Sequence, residues 1–159
     1  MKRLFVEVEK CLACRSCEIA CAVEHSFSQN LFEAVDEKPS PEYRIYVEDI
    51  QGTTVTLQCR HCESAPCLQV CPSKAIIRKE LAEPVRILND LCVGCSFCII
   101  VCPFGVLKSG KDKKIALKCD LCIERIQKNE VPACVNACPT GALKIKTIFS
   151  QPDLVGQKY

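Results

Sequence analysis

The sequence predicts an α+β fold: two interleaved modules of short strands and short helices, organised around bound metal more than around an apolar core. Three observations lead there. Sixteen of the 159 residues are cysteine, falling into four groups of four. Three of those groups close on near-copies of one hexapeptide, and a short β-prone segment leads into each group.

In chain order, Leu4–Val8 reads as a strand leading to Cys11, Cys14, Cys17 and Cys21, spaced C-x2-C-x2-C-x3-C. The stretch Asn30–Pro41, with Pro39 and Pro41 around Ser40, reads as a surface loop, followed by a strand at Arg44–Val47. Thr53–Leu57 is the strand before Cys59, Cys62, Cys67 and Cys71, whose middle gap widens to four residues. Val85–Leu88 precedes Cys92, Cys95, Cys98 and Cys102, which repeat the first spacing. Ile115–Leu117 precedes Cys119, Cys122, Cys134 and Cys138, whose long middle gap holds a predicted helix over Asp120–Lys128. The tail, 147–159, carries few cues for a core.

The hexapeptide runs Cys71-Pro72-Ser73-Lys74-Ala75-Ile76, Cys102-Pro103-Phe104-Gly105-Val106-Leu107 and Cys138-Pro139-Thr140-Gly141-Ala142-Leu143. Proline after the last cysteine removes an N–H donor and fixes φ, so it ends the preceding helix and admits a turn and a new strand. Cys21 departs from this pattern, because Ala22 follows it.

Cysteine inflates the 48% hydrophobic content, so the ordinary apolar core is thin for this length and cross-links or metals must supply stability. The opening residues contain no signal-peptide run, and no stretch reaches the roughly 20 apolar residues that span a bilayer. A cytoplasmic protein without direct membrane insertion is expected, where thiols stay reduced and serve as metal ligands. A formal charge of +2 with no basic run argues against nucleic acid.

A C-x2-C-x2-C run brings three thiolates to one cubane, and in two-cluster bacterial ferredoxins the cysteine before proline crosses to the other cluster. Four groups therefore predict four [4Fe-4S] clusters in two pairs. Sixteen thiolates against four dicationic cores would carry the formal charge from +2 to −6. Zinc, the bland alternative, uses two ligands per knuckle and leaves three consecutive ligands plus Cys-Pro unexplained. The C-x3-C-x2-C signature of radical chemistry is absent, and no Walker, Rossmann or nucleophile motif occurs, so no catalytic residue is assigned. Of the two histidines, His25 follows the first group, while His61 is expected to pack or hydrogen-bond near a cluster sulfur. Most of Arg15, Lys74, Arg78 and Lys118 are expected at the surface. Ile19, Val93, Phe97, Ile99, Ile100 and Phe104 are expected to shield the clusters from water.

These groups, from Leu4 to about Lys146, resemble the four-cluster ferredoxin-like electron-transfer subunits of anaerobic oxidoreductases. That resemblance implies one polyferredoxin unit over 1–159, with two dicluster-ferredoxin-like modules: about 1–30 with 110–146, and about 50–109. It also implies the ligand sets Cys11, Cys14, Cys17 with Cys138; Cys119, Cys122, Cys134 with Cys21; Cys59, Cys62, Cys67 with Cys102; and Cys92, Cys95, Cys98 with Cys71. Residues Cys11–Ser26 and Gln58–Cys62 look most like the iron-sulfur subunit associated with nickel carbon monoxide dehydrogenase. Similar subunits serve formate dehydrogenases, hydrogenases and tungsten aldehyde oxidoreductases. The implied role is non-catalytic electron transfer from a catalytic subunit to an NAD(P)H-linked flavoprotein, another ferredoxin or a hydrogenase; a freely diffusing polyferredoxin is the competing expectation.

Overall fold

The computed structural model describes residues 1–111 and 114–148. Its strands are β1 (Lys2–Val6), β2 (Ile45–Ile50), β3 (Thr53–Gln58), β4 (Ile76–Ile77), β5 (Arg86–Ile87), β6 (Lys108–Ser109), β7 (Ala116–Leu117) and β8 (Leu143–Thr147). Its α-helices are α1 (Ser16–Glu24), α2 (Leu31–Asp36), α3 (Pro66–Val70), α4 (Phe97–Ile100), α5 (Ile123–Gln127) and α6 (Ala133–Asn136). Single 3-10 turns at Val8–Lys10 and Asn89–Leu91 lead into the first and third cysteine groups.

Each sheet among the described residues is one antiparallel pair. β1 pairs with β8 from Lys2↔Thr147 to Val6↔Leu143, which brings the first cysteine group beside the fourth. β4 pairs with β5, and β6 with β7, so each strand that follows a Cys-Pro in groups two and three meets the strand before the next group. β2 and β3 form a hairpin through Gln51 and Gly52, both at positive φ (+53° and +79°), the conformation a two-residue hairpin turn requires.

Proline punctuation explains the helix lengths. α3, α4 and α6 stop just before Cys71-Pro72, Cys102-Pro103 and Cys138-Pro139, whereas α1 runs through Cys21 and Ala22 to Glu24. The interior combines cysteines with small clusters of Leu4, Ile45, Val47, Ile76, Val85, Leu107 and Leu143. Among the described residues, no helix is long and apolar enough to cross a membrane.

Three expectations need correction. The Asn30–Pro41 segment contains α2, because Asn30 caps it: its side-chain oxygen accepts from Phe32 N at 2.9 Å and Glu33 N at 3.5 Å. The helix expected over Asp120–Lys128 begins only at Ile123, since Leu121 and Cys122 hold left-handed conformations. The first strand ends at Val6, where the chain tightens into the 3-10 turn. Of the tail, 149–159 lies outside the described residues.

Candidate metal centres

One backbone rule builds every C-x2-C segment. The residue just before the second cysteine is left-handed in all four groups: Ala13 (φ +54°), His61 (+47°), Gly94 (+67°) and Leu121 (+65°). Such a turn folds successive peptide N–H groups toward one concave side, where they favour negative charge. Accordingly, His61 N donates to Cys59 Sγ and Leu121 N to Cys119 Sγ, both at 3.4 Å. Arg44 N donates to Cys21 Sγ at 3.2 Å. Left-handed Arg15 and Ser96 then open α1 and α4, turning Cys17 and Cys98 inward, where both are buried.

The fold gathers twelve of the cysteines in fours around three cavities. Cys11, Cys14, Cys17 and Cys138 border one cavity. Cys59, Cys62, Cys67 and Cys102 border a second. Cys71, Cys92, Cys95 and Cys98 border a third. Cys21 acts electrostatically on each of Cys119, Cys122 and Cys134, where α1 packs on α6.

The thiol electrostatics fit a cationic guest. Burial raises Cys17 and Cys98 to about 11 and Cys122 to about 12, and it pushes Cys119 and Cys134 well above the ordinary thiol value. Thiols of this kind ionise when a metal supplies the positive charge, and binding then releases protons. Cys71 and Cys138 go the other way: burial opposes ionisation, but N–H donors of Ile76 and Leu143 and the hydroxyls of Ser73 and Thr140 outweigh it. Thiols gathered in fours, with N–H donors directed at their sulfurs, are the donor chemistry of iron-sulfur clusters, and the residues fit that group.

Of the four basic residues considered for the surface, Arg15 and Lys74 are exposed, Arg78 is half-buried and Lys118 is buried. Lys118 is 3% exposed; its ammonium donates to the carbonyls of Val85 and of Cys119, the latter at 2.7 Å. Arg78 clamps the group-two loop, donating to the carbonyls of His61 (2.8 Å), Cys62 (2.7 Å) and Glu63 (3.0 Å). Glu18, 6% exposed, accepts from Val47 N at 2.7 Å. Asp120 accepts from Arg44 at 2.7 Å, from Cys122 N at 3.0 Å and from His25 Nε2 at 3.2 Å. Burial opposes the charge on His25, but its bonds to Asp120 and Cys21 prevail and raise it to about 10.

His61 is 1% exposed, and neither ring nitrogen has a hydrogen-bond partner among the described residues. Burial, followed by the Lys118 charge, holds its pKa well below the usual histidine value. Its backbone, rather than its ring, meets a cysteine sulfur. The apolar shield is corrected in part: Val93, Ile99 and Phe104 border the cavities of two cysteine sets, whereas Ile19, Phe97 and Ile100 border none of the three and are 50–77% exposed. A one-turn helix such as α4 can turn only one face inward, and Cys98 occupies it. Strand alternation does signal the burial of Lys118. Ala116 and Lys118 share one face, as do buried Thr56 and Gln58 before group two.

A fold of short strand pairs that gathers its cysteines in fours, within N–H-lined loops, defines an iron-sulfur protein. The chain belongs to the 4Fe-4S dicluster domain family, whose model matches residues 50–148. It is 38% identical over 154 residues to the iron-sulfur protein of Rhodospirillum rubrum, covering 89% of this chain and 80% of that one. It is 36% identical over 155 residues to electron transport protein HydN of Escherichia coli (strain K12), covering 88% and 85%. A tetrathionate reductase subunit of Salmonella typhimurium is 31% identical over 142 residues, covering 87% and 55%. Among solved structures, the active site complex BamBC of benzoyl coenzyme A reductase, as isolated, contains a chain with the same fold: TM-score 0.51, 23% identity, 97% of this chain and 82% of that one.

Proposed function

We propose that this chain relays electrons between a catalytic oxidoreductase subunit and a separate redox acceptor, and has no catalytic site of its own. The proposed ligand sets are Cys11, Cys14, Cys17, Cys138; Cys21, Cys119, Cys122, Cys134; Cys59, Cys62, Cys67, Cys102; and Cys71, Cys92, Cys95, Cys98. They divide into two modules, one made of groups one and four, the other of groups two and three. Bound [4Fe-4S] clusters supply one-electron redox chemistry at each set.

The observation that carries this reading is the gradient of exposure across the sets. Cys14 and Cys95 are exposed, while Cys119, Cys122 and Cys134 are buried. Exposed sets suit contact with partners, and buried ones suit relay between them. The residues of the chain place the thiolates, direct N–H donors at the sulfurs and keep water from the interior sets. Names of the relatives, an electron transport protein and a reductase subunit among them, support the relay role.

Carbon monoxide dehydrogenase is the catalytic partner we favour, on the resemblance of Cys11–Ser26 and Gln58–Cys62. Metal analysis of the complex, purified anaerobically through a tag on this chain, tests the whole reading. Iron of at least about 16 per chain, four for each cubane, is expected, with reversible bleaching of visible absorption by dithionite. Iron far below that level, or absorption indifferent to dithionite, would overturn the relay. Co-purifying nickel supports the favoured partner once a nickel hydrogenase is excluded; molybdenum or tungsten would move the assignment to formate or aldehyde oxidation.

A further inference from the structure

The joint between the two proposed modules holds an uncommon group, a lysine 3% exposed whose hydrogen-bond partners are neutral carbonyls. Lys118 lies one residue beyond β7, on the face it shares with buried Ala116. One of its acceptors is Cys119 O, in the set of Cys21, Cys119, Cys122 and Cys134. The other is Val85 O; Val85 is 1% exposed and borders the cavity of Cys59, Cys62, Cys67 and Cys102. The ammonium thus touches the wall of one set and the backbone of the other.

Asp120 and Glu124 border one cavity with Lys118, but neither forms an ion pair with its ammonium among the described residues. Asp120 is engaged by Arg44 and His25, and Arg78 adds positive charge on the group-two side. A buried cation is stable only where negative charge compensates it. Sets of four thiolates around an iron-sulfur core supply that charge on both sides.

We propose that Lys118 is an internal cation that positions the two modules and raises the reduction potentials of the two centres at their joint. The proposal rests on the four-cluster reading above. Reduction adds negative charge to a cluster, so a fixed positive charge close by favours the reduced form. With that charge on the joint, an electron entering from either exposed set is drawn inward.

The test uses the holoprotein purified anaerobically, with Lys118→Met, Lys118→Gln and Lys118→Arg. Iron per chain and visible absorption report cluster loading, and redox titration followed by electron paramagnetic resonance reports each midpoint potential. Lys118→Met at full iron should lower two midpoints and leave two in place, and Lys118→Arg should hold all four near the parent values. If Lys118→Met fails to load iron, Lys118→Gln, which keeps a donor for Val85 O without the charge, decides on the same readout. Unchanged potentials at full iron, or all four moving together, overturn the proposal. Iron well below about 16 in the parent chain would instead sink the four-cluster reading.

Discussion

The guanidinium of Arg44 meets the carboxylate of Asp120 at 2.7 Å across 76 residues of sequence. The same two residues hold two cysteines of one set: Arg44 N donates to Cys21 Sγ, and Asp120 Oδ1 accepts from Cys122 N. One ion pair therefore fixes the start of β2 against the fourth group. The side chains are 18% and 23% exposed, so solvent screens the pair only in part. Asp120→Ala should cost about 3 kcal/mol, the lower end for a buried pair broken from one side. Thermal bleaching of visible absorption under anaerobic conditions is the measure. Arg44→Met in the Asp120→Ala background should add much less than it costs alone; full additivity would sink the coupling.

Glu18 presents a second buried carboxylate with a backbone task. Its Oε1 accepts from Val47 N at 2.7 Å, on the edge of β2 opposite the β3 ladder. Glu18→Gln keeps an acceptor and should be mild. Glu18→Ala leaves a buried N–H unpaired and should cost about 1–3 kcal/mol, read from the same thermal bleaching. Equal loss in both variants would show that charge, not the hydrogen bond, is the contribution.

Equivalent positions of the repeated hexapeptide share one backbone state: Lys74, Gly105 and Gly141 lie at φ +55°, +60° and +62°. A Cβ added at Gly105 or Gly141 would meet nothing within 4 Å, so only the left-handed backbone penalises a side chain. Lys74→Gly should stabilise the protein by about 1 kcal/mol and Gly105→Ala destabilise it by about the same amount. Denaturant midpoints of the cluster-loaded protein check both. A Lys74→Gly loss would mean that the lysine side chain holds a compensating contact.

Ala22 tests the departure from Cys-Pro in the first group. α1 continues past Cys21 to Glu24, and His25 N closes its end on Ala22 O. Ala22→Pro should cost about 3 kcal/mol, because the ring collides with the preceding turn and an intrahelical bond is lost. Pro139→Ala, at a site where α6 has already stopped, should cost far less. Similar losses at the two sites would sink this account of helix length.

The legible part of the fold was local. β-prone segments became strands at Thr53–Gln58 and Ala116–Leu117, and Cys-Pro ended three helices where proline chemistry requires it. α2 was hidden because Pro39 and Pro41 dominate the reading of a segment whose helix signal is the Asn30 cap. Exposed Phe97 and Ile100 were misplaced because single-turn helices give too few residues for periodicity to define a face. Lys118 was misplaced by a composition rule, although Ala116 two residues earlier marked the inward side of its strand. Which cysteines meet across the chain depends on the β1–β8 pairing, a long-range contact that spacing within a group does not encode.

Crossed ligation makes a prediction that sequence proximity contradicts. Cys67 lies in the first turn of α3 and Cys71 caps its C-terminal end, four residues on, yet Cys67 borders the cavity of Cys59, Cys62 and Cys102, while Cys71 borders that of Cys92, Cys95 and Cys98. Cys71→Ser and Cys98→Ser should therefore weaken the same centre, and Cys67→Ser a different one. Serine is a poorer iron ligand than thiolate, so each variant should lose up to about four irons per chain, or shift the signal of one cluster. Iron analysis with electron paramagnetic resonance of the reduced proteins separates the cases. If Cys71→Ser reproduces the spectrum of Cys67→Ser, each group ligates its own cluster and the crossover is wrong. If it reproduces Cys98→Ser, neighbouring cysteines on one short helix serve separate centres, which gives electrons a short covalent route between them.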